Sequence, residues 1–167
     1  KPIEETKSVE LIEVWDGTKG TTVGEKSEKL QISKGDEEIV KEFVRGNESK
    51  IKELVAKQDD TECVTDTFSI TGFAEGSFTT PNAKEKVFLY SLCEGSGVYP
   101  NKVGGIVVIA DGKANNHLFF NELGGYQQLK SLPDINQNGK SEIVLESTTP
   151  INQGYFFNSI AVREIDE

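Results

Sequence analysis

Histidine is nearly absent from this chain, with His117 the one copy. Any Ser-His-Asp or Cys-His mechanism would have to run through it. It stands beside Leu118 and Phe119 in a strand pattern, where a structural or surface role is the plainer reading. Cysteine is almost as scarce. Cys63 and Cys93 are the only two, and neither belongs to a Cys-x-x-Cys pair, which argues against zinc and dithiol redox motifs. In an oxidising compartment the two would close one loop, stabilising by about 3 to 4 kcal/mol on the chain-entropy model. Two unrelated buried thiols fit the spacing equally well. No apolar run approaches the ~20 residues that a membrane-crossing helix needs, so no membrane span is expected. Basic side chains are outnumbered, 18 Lys and Arg against 28 Asp and Glu. The resulting net charge of −10 argues against a nucleic-acid partner, which requires concentrated Lys and Arg to displace counterions. Such a surface suits metal ions or basic proteins, or serves solubility alone. Methionine is missing altogether and the chain opens on Lys1, which leads us to expect a secreted or periplasmic protein freed of its signal peptide.

What is present is a globular composition: 35% hydrophobic and 28% charged residues over 167 positions, the length of a single domain (1–167). Residues 1–34 are poor in apolar side chains and form a loose or extended N-terminal segment in this reading, with one alternating run, Val9 to Trp15, before the turn signal Asp16-Gly17. Residues 35–58 read as a helical pair. Ile39, Val40, Phe43 and Val44 share a stripe behind the acidic start Asp36-Glu37-Glu38, and Gly46 ends the first helix. Asn47 then caps a second helix, in which Ile51, Leu54 and Val55 recur at helical spacing to about Gln58. From residue 64 to 167 the period becomes alternating. Phe68 to Thr71 and Val87 to Leu92 read as strands separated by the turn-rich Glu75–Asn82, and Gly95–Pro100 reads as a loop. Gly105–Ala110 and His117–Phe120 pair across Asp111-Gly112, the strongest hairpin signal in the chain. Ser141–Glu146 and Tyr155–Ile165 add two more strands, joined by a loop holding Pro150 and Gly154. The fold class is therefore α+β: an antiparallel β meander with a two-helix N-terminal layer packed against or beside it.

Most of the candidate chemistry dissolves on inspection. Asp59-Asp60 and Glu37-Glu38 are neighbouring acids of the kind expected by chance among so many, and carry no glycosidase signal. Gly95, Gly97, Gly104 and Gly105 are followed by no Gly-Lys-Ser/Thr and no helix start, which disfavours nucleotide binding. Trp15, Tyr99, Tyr126 and Tyr155 lie in or beside turns, where aromatic residues either half-bury or anchor a protein or glycan ligand.

One segment carries a sharper pattern, Asp134-Ile135-Asn136-Gln137-Asn138-Gly139-Lys140-Ser141-Glu142. Calcium takes six to eight oxygen ligands, and a short loop supplies them when alternate side chains point inward around a tight turn. Asp134, Asn136 and Asn138 hold the first, third and fifth positions, and Gly139 follows where the backbone must bend. Lys140 offers its backbone carbonyl and Glu142 closes the shell with its carboxylate. An Asn/Gly-rich turn without an ion is the alternative, because Asn and Asp favour such turns for backbone reasons. An EF-hand is excluded: its twelfth position would be Leu145, and Ile143-Val144-Leu145 is a strand former.

A loop of this kind running into a Val/Ile-rich strand resembles the calcium loop of the integrin-type FG-GAP/VCBS repeat. The likeness extends at most from Gly105 to Ile165 and is specific only over Asp134–Leu145. It implies an extracytoplasmic, calcium-stabilised antiparallel sheet similar to one propeller blade, usually serving adhesion or ligand binding. Such loops often carry more acids than Asp134 and Glu142, and the chain is too short to close a propeller by itself. The expectation is an exported calcium-binding domain whose ion is structural, acting as a binding module for a protein or glycan. A small exported enzyme or enzyme inhibitor with the same structural calcium is the alternative.

Overall fold

The computed structural model describes residues 31–56, 68–94, 101–123, 126–152 and 155–165. The expectations placed on Val9–Trp15, Asp59, Asp60, Cys63 and Gly95–Pro100 lie outside them, as do the side chains of Cys93, His117, Tyr126 and Tyr155. The pairing of Cys63 with Cys93 therefore also lies outside the described residues.

Helix α1 (Lys34–Gly46) begins where the Ser33 hydroxyl accepts from the Asp36 amide at 3.1 Å, and its first turn carries Asp36 and Glu37, which suits the helix dipole. Asn47 has two duties at the junction with α2 (Glu48–Ala56). Its carbonyl accepts from the Ile51 amide at 3.1 Å, while its side-chain amide donates backward to the Phe43 carbonyl at 2.8 Å. The side chain thus closes α1 and does not cap α2, because the carbonyls at a helix end need donors just as the first amides need acceptors.

Among the described residues seven strands follow: β1 (Ser69–Gly76), β2 (Glu85–Glu94), β3 (Asn101–Ala110), β4 (Lys113–Leu123), β5 (Tyr126–Leu132), β6 (Glu142–Asn152) and β7 (Tyr155–Arg163). They form two antiparallel sheets with strands in chain order, β1-β2-β3-β4 and β5-β6-β7. The protein is thus α+β, mostly antiparallel sheet with few helices. The β3–β4 turn has Asp111 at φ 50° and Gly112 at φ 72°, the left-handed pair that a two-residue hairpin demands.

Strand β5 carries little alternation, with Leu129 buried, yet it pairs with β6 from Tyr126↔Ser147 to Leu132↔Glu142. Strand β6 also runs through Pro150, where the sequence suggests a loop. Past Ser147 it has, among the described residues, a neighbour only on the β7 side, Pro150 pairing with Phe156, so the missing proline N–H costs no ladder bond on the other side.

The core lies on both faces of the larger sheet. On one, Phe88, Tyr90 and Leu92 of β2 and Val103, Val107 and Ile109 of β3 pack with Val40 and Val44 of α1 and Ile51 of α2. On the other, Val87, Leu89, Ile106 and Val108 meet Leu129, Ile143 and Leu145 of the smaller sheet. Gly72 on β1 permits the close approach of the two sheets, since a Cβ there would stand 2.8 Å from that of Leu129. On the smaller sheet Ile160 and Val162 of β7 are exposed. An ion pair of 2.7 Å between Asp36 and Lys86 ties the start of α1 to β2. Burial raises the Asp36 carboxyl, but the hydrogen bonds from Lys86 and Ser33 outweigh it and hold the group below its usual range. Among the described residues no helix is long and apolar enough to cross a membrane.

Candidate metal centre

The segment from Pro133 to Ser141 joins β5 to β6, and Leu132 and Glu142 at its feet are ladder partners. Asp134 is half-buried, Asn136 and Asn138 are exposed, and Glu142, the first residue of β6, is only 6% exposed. Their oxygens turn onto the backbone of the loop. The Asp134 carboxylate accepts from the amides of Asn138 at 3.0 Å and Gly139 at 2.7 Å. Oδ1 of Asn136 accepts from Asn138 N at 3.1 Å, and Oδ1 of Asn138 from Lys140 N at 2.9 Å. Oε2 of Glu142 accepts from Ile135 N at 3.0 Å. Local chemistry produces this curl: Asx side chains bond to backbone two residues on, and Gln137 at φ 62° and Gly139 at φ 88° supply the left-handed turns.

A second loop, Ser77 to Lys84 between β1 and β2, holds this one in place. Ser141 N donates to Ser77 O at 2.6 Å, Asn82 N donates to Gly139 O at 3.0 Å, and the Ser141 hydroxyl accepts from Ser77 N at 3.2 Å. That loop is itself tied to Glu85, whose carboxylate accepts from Phe78 N at 2.5 Å, Thr79 N at 2.7 Å and the Thr79 hydroxyl at 2.5 Å. Burial pushes the Glu85 carboxyl up, but these bonds more than offset it and leave the group below the usual carboxylate range.

Glu164, which follows β7, also reaches the loop. Its carboxylate accepts from Nδ2 of Asn136 at 2.8 Å and from Nδ2 of Asn138 at 2.9 and 2.8 Å, and Lys140 Nζ stands 3.5 Å away. The Asn136 and Asn138 amides, against a small opposing effect of burial and with help from Lys140, hold the Glu164 carboxyl below its ordinary value. No local signal marks this residue, since it is separated from the loop by two strands and only their pairing brings it back. All five residues expected to surround an ion, Asp134, Asn136, Asn138, Lys140 and Glu142, lie in or at the foot of one loop.

Among the described residues no three His, Cys, Asp or Glu side chains gather as a metal-binding group. The candidate set comprises two carboxylates and two amides, with one backbone carbonyl expected from Lys140. The donors are all oxygens, which suits a hard cation. They retain capacity as well: a carboxylate has about four lone-pair sites and an amide oxygen two. Among the described residues the buried Glu142 side chain accepts one hydrogen bond. Glu85, buried to a similar degree, accepts three.

No protein-family model, no curated protein and no solved structure matches this chain to a significant degree.

Proposed function

We propose that this chain is an exported calcium-binding domain in which one ion, held by Asp134, Asn136, Asn138, Glu142 and the Lys140 carbonyl, has a structural role. The domain then acts as a binding module for a protein or glycan ligand. Glu142 supports the metal reading most: a buried carboxylate with a single hydrogen bond among the described residues, turned into the loop that also holds the Asp134 carboxylate and two amide oxygens. Carboxylate buried short of partners is costly, and a cation offsets that cost. A flexible loop of mixed oxygens suits calcium better than magnesium, which demands a tighter octahedron.

Position supports a structural role. Glu142 opens β6, whose next inward side chains, Ile143 and Leu145, belong to the core. In this reading the helical pair is a packing layer, supported by Val40, Val44 and Ile51 in the core. The β5–β7 meander takes the part of the blade-like sheet in the FG-GAP/VCBS resemblance, supported by its up-and-down order and the loop at its first turn.

Calorimetric titration with calcium tests the proposal. The wild-type chain is expected to give a binding heat that Asp134→Ala abolishes. Absence of heat at millimolar calcium, or an unchanged isotherm in the variant, sinks it.

A further inference from the structure

The loop carries amides at its third and fifth positions, where acids would add charge to a calcium site, and each amide is engaged at both ends. The oxygens of Asn136 and Asn138 accept from amides of the loop backbone, while both Nδ2 groups donate to Glu164 at 2.8 to 2.9 Å. A side-chain amide has two ends of nearly equal shape, so its orientation is decided by its partners. The ionised Glu164 carboxylate has no proton to donate and accepts from NH2 only. The reverse orientation would set a carbonyl oxygen against the carboxylate and an NH2 against a backbone N–H. Lys140, with Nζ 3.5 Å from Glu164 Oε1, adds an attraction that steadies the carboxylate.

We infer that Glu164 is the positioning residue of the calcium loop and the source of its third negative charge. It fixes the amides of Asn136 and Asn138 with their oxygens turned to the loop and adds its own charge from behind them. This rests on the calcium reading above. It also accounts for the residue types in the loop, because an acid at position 138 would place its carboxylate against that of Glu164. Charge count strengthens calcium sites in general, so an acid at 138 and Glu164 are here antagonists.

The test is a coupling measurement on the full chain. Calcium affinity is measured by calorimetry for wild type, Glu164→Ala, Glu164→Gln, Asn138→Asp and the double variant Asn138→Asp with Glu164→Ala. Side-chain amide signals of Asn136 and Asn138 are recorded by NMR in calcium-free buffer, a readout that needs no ion. Removing a group that orients metal ligands costs about tenfold to a hundredfold in affinity, so Glu164→Ala is expected to weaken binding by at least about tenfold. Glu164→Gln, which keeps an acceptor oxygen and loses the charge, falls between the two. Asn138→Asp brings no gain in the presence of Glu164 and a clear gain in its absence. The Asn136 and Asn138 amide signals move in both Glu164 variants.

An affinity within twofold of wild type in Glu164→Ala overturns the inference and leaves calcium binding intact, and so does an equal effect of Asn138→Asp in both backgrounds. If Glu164→Ala does not fold, Glu164→Gln decides, and wild-type affinity with unmoved amide signals overturns the inference. A wild-type chain that takes up no calcium removes the reading and the inference together, which distinguishes that failure from the others.

Discussion

Two polar side chains on β2 show how differently burial treats a group with partners and one without. Glu85 is 2% exposed and its carboxylate accepts from the Phe78 and Thr79 amides and the Thr79 hydroxyl. Glu85→Gln keeps one acceptor but turns an NH2 toward these donors, and is expected to cost about 1 to 3 kcal/mol at pH 7. The folded carboxyl titrates below its unfolded value, near 4.3, so its stabilisation is fully present above that pH and is lost as pH falls through the lower folded value. Urea unfolding of wild type and Glu85→Gln should thus show a steady gap near neutrality that closes below about pH 4. A gap that persists to the lowest pH at which both fold contradicts this account. Tyr90 is the opposite case: fully buried, its hydroxyl has no hydrogen-bond partner among the described residues, and burial pushes its ionisation far above the ordinary phenol range. Removing an unsatisfied hydroxyl forfeits no bond, so Tyr90→Phe should leave stability unchanged or raise it by up to about 1 kcal/mol. A loss of more than that in urea unfolding would show that the hydroxyl has a partner after all.

Elements meet at loops, and two glycines separate local from tertiary demands there. Gly112 has φ 72° with nothing near its absent side chain, whereas Gly139 has φ 88° and a Cβ there would come within 2.8 Å of Pro81 Cβ. Gly112→Ala should cost only the backbone penalty, about 1 to 2 kcal/mol. Gly139→Ala should cost more, because the same penalty is joined by a clash with the neighbouring loop. Equal midpoint shifts in thermal melts would argue that the two loops separate freely. The hairpin at Asp111-Gly112 was legible because its conformation is dictated by two adjacent residues. Strand β5 was not, since Tyr-Gln-Gln-Leu-Lys-Ser-Leu carries almost no alternation and is held by its ladder to β6. Pro150 misled in the other direction: it pairs with Phe156 on the β7 side, and among the described residues no strand lies on its other side to need a ladder bond.

For the whole molecule, the central fact is that β2 and β3 are covered on both faces, which is why Val87–Tyr90 and Ile106–Ile109 are unbroken apolar runs. The smaller sheet contributes Leu129, Ile143 and Leu145 to one of these cores, and the candidate calcium loop joins its first two strands. An ion bound to the folded state alone stabilises it by RT ln(1 + [L]/Kd), about 2.7 kcal/mol at a hundredfold excess over Kd. On the calcium reading the melting midpoint therefore rises by several degrees with calcium and falls back on chelation, while Glu142→Gln loses the calcium response. Superimposable melts with and without chelator would deny the ion any part in holding the fold.

The sequence by itself determined the helical stripe of α1, the apolar runs of β2 and β3, the β3–β4 turn and the curl of the Asp134–Glu142 loop. Each is a local matter, settled by side-chain period or by bonds between residues a few positions apart. Only the tertiary structure decided which face of β2 meets the helices, that the Ser77–Lys84 loop clasps Gly139 and Ser141, and that Glu164 reaches the amides of Asn136 and Asn138. Those contacts join residues distant in the chain. Strand register brings them together, and no period or motif in a single segment records it.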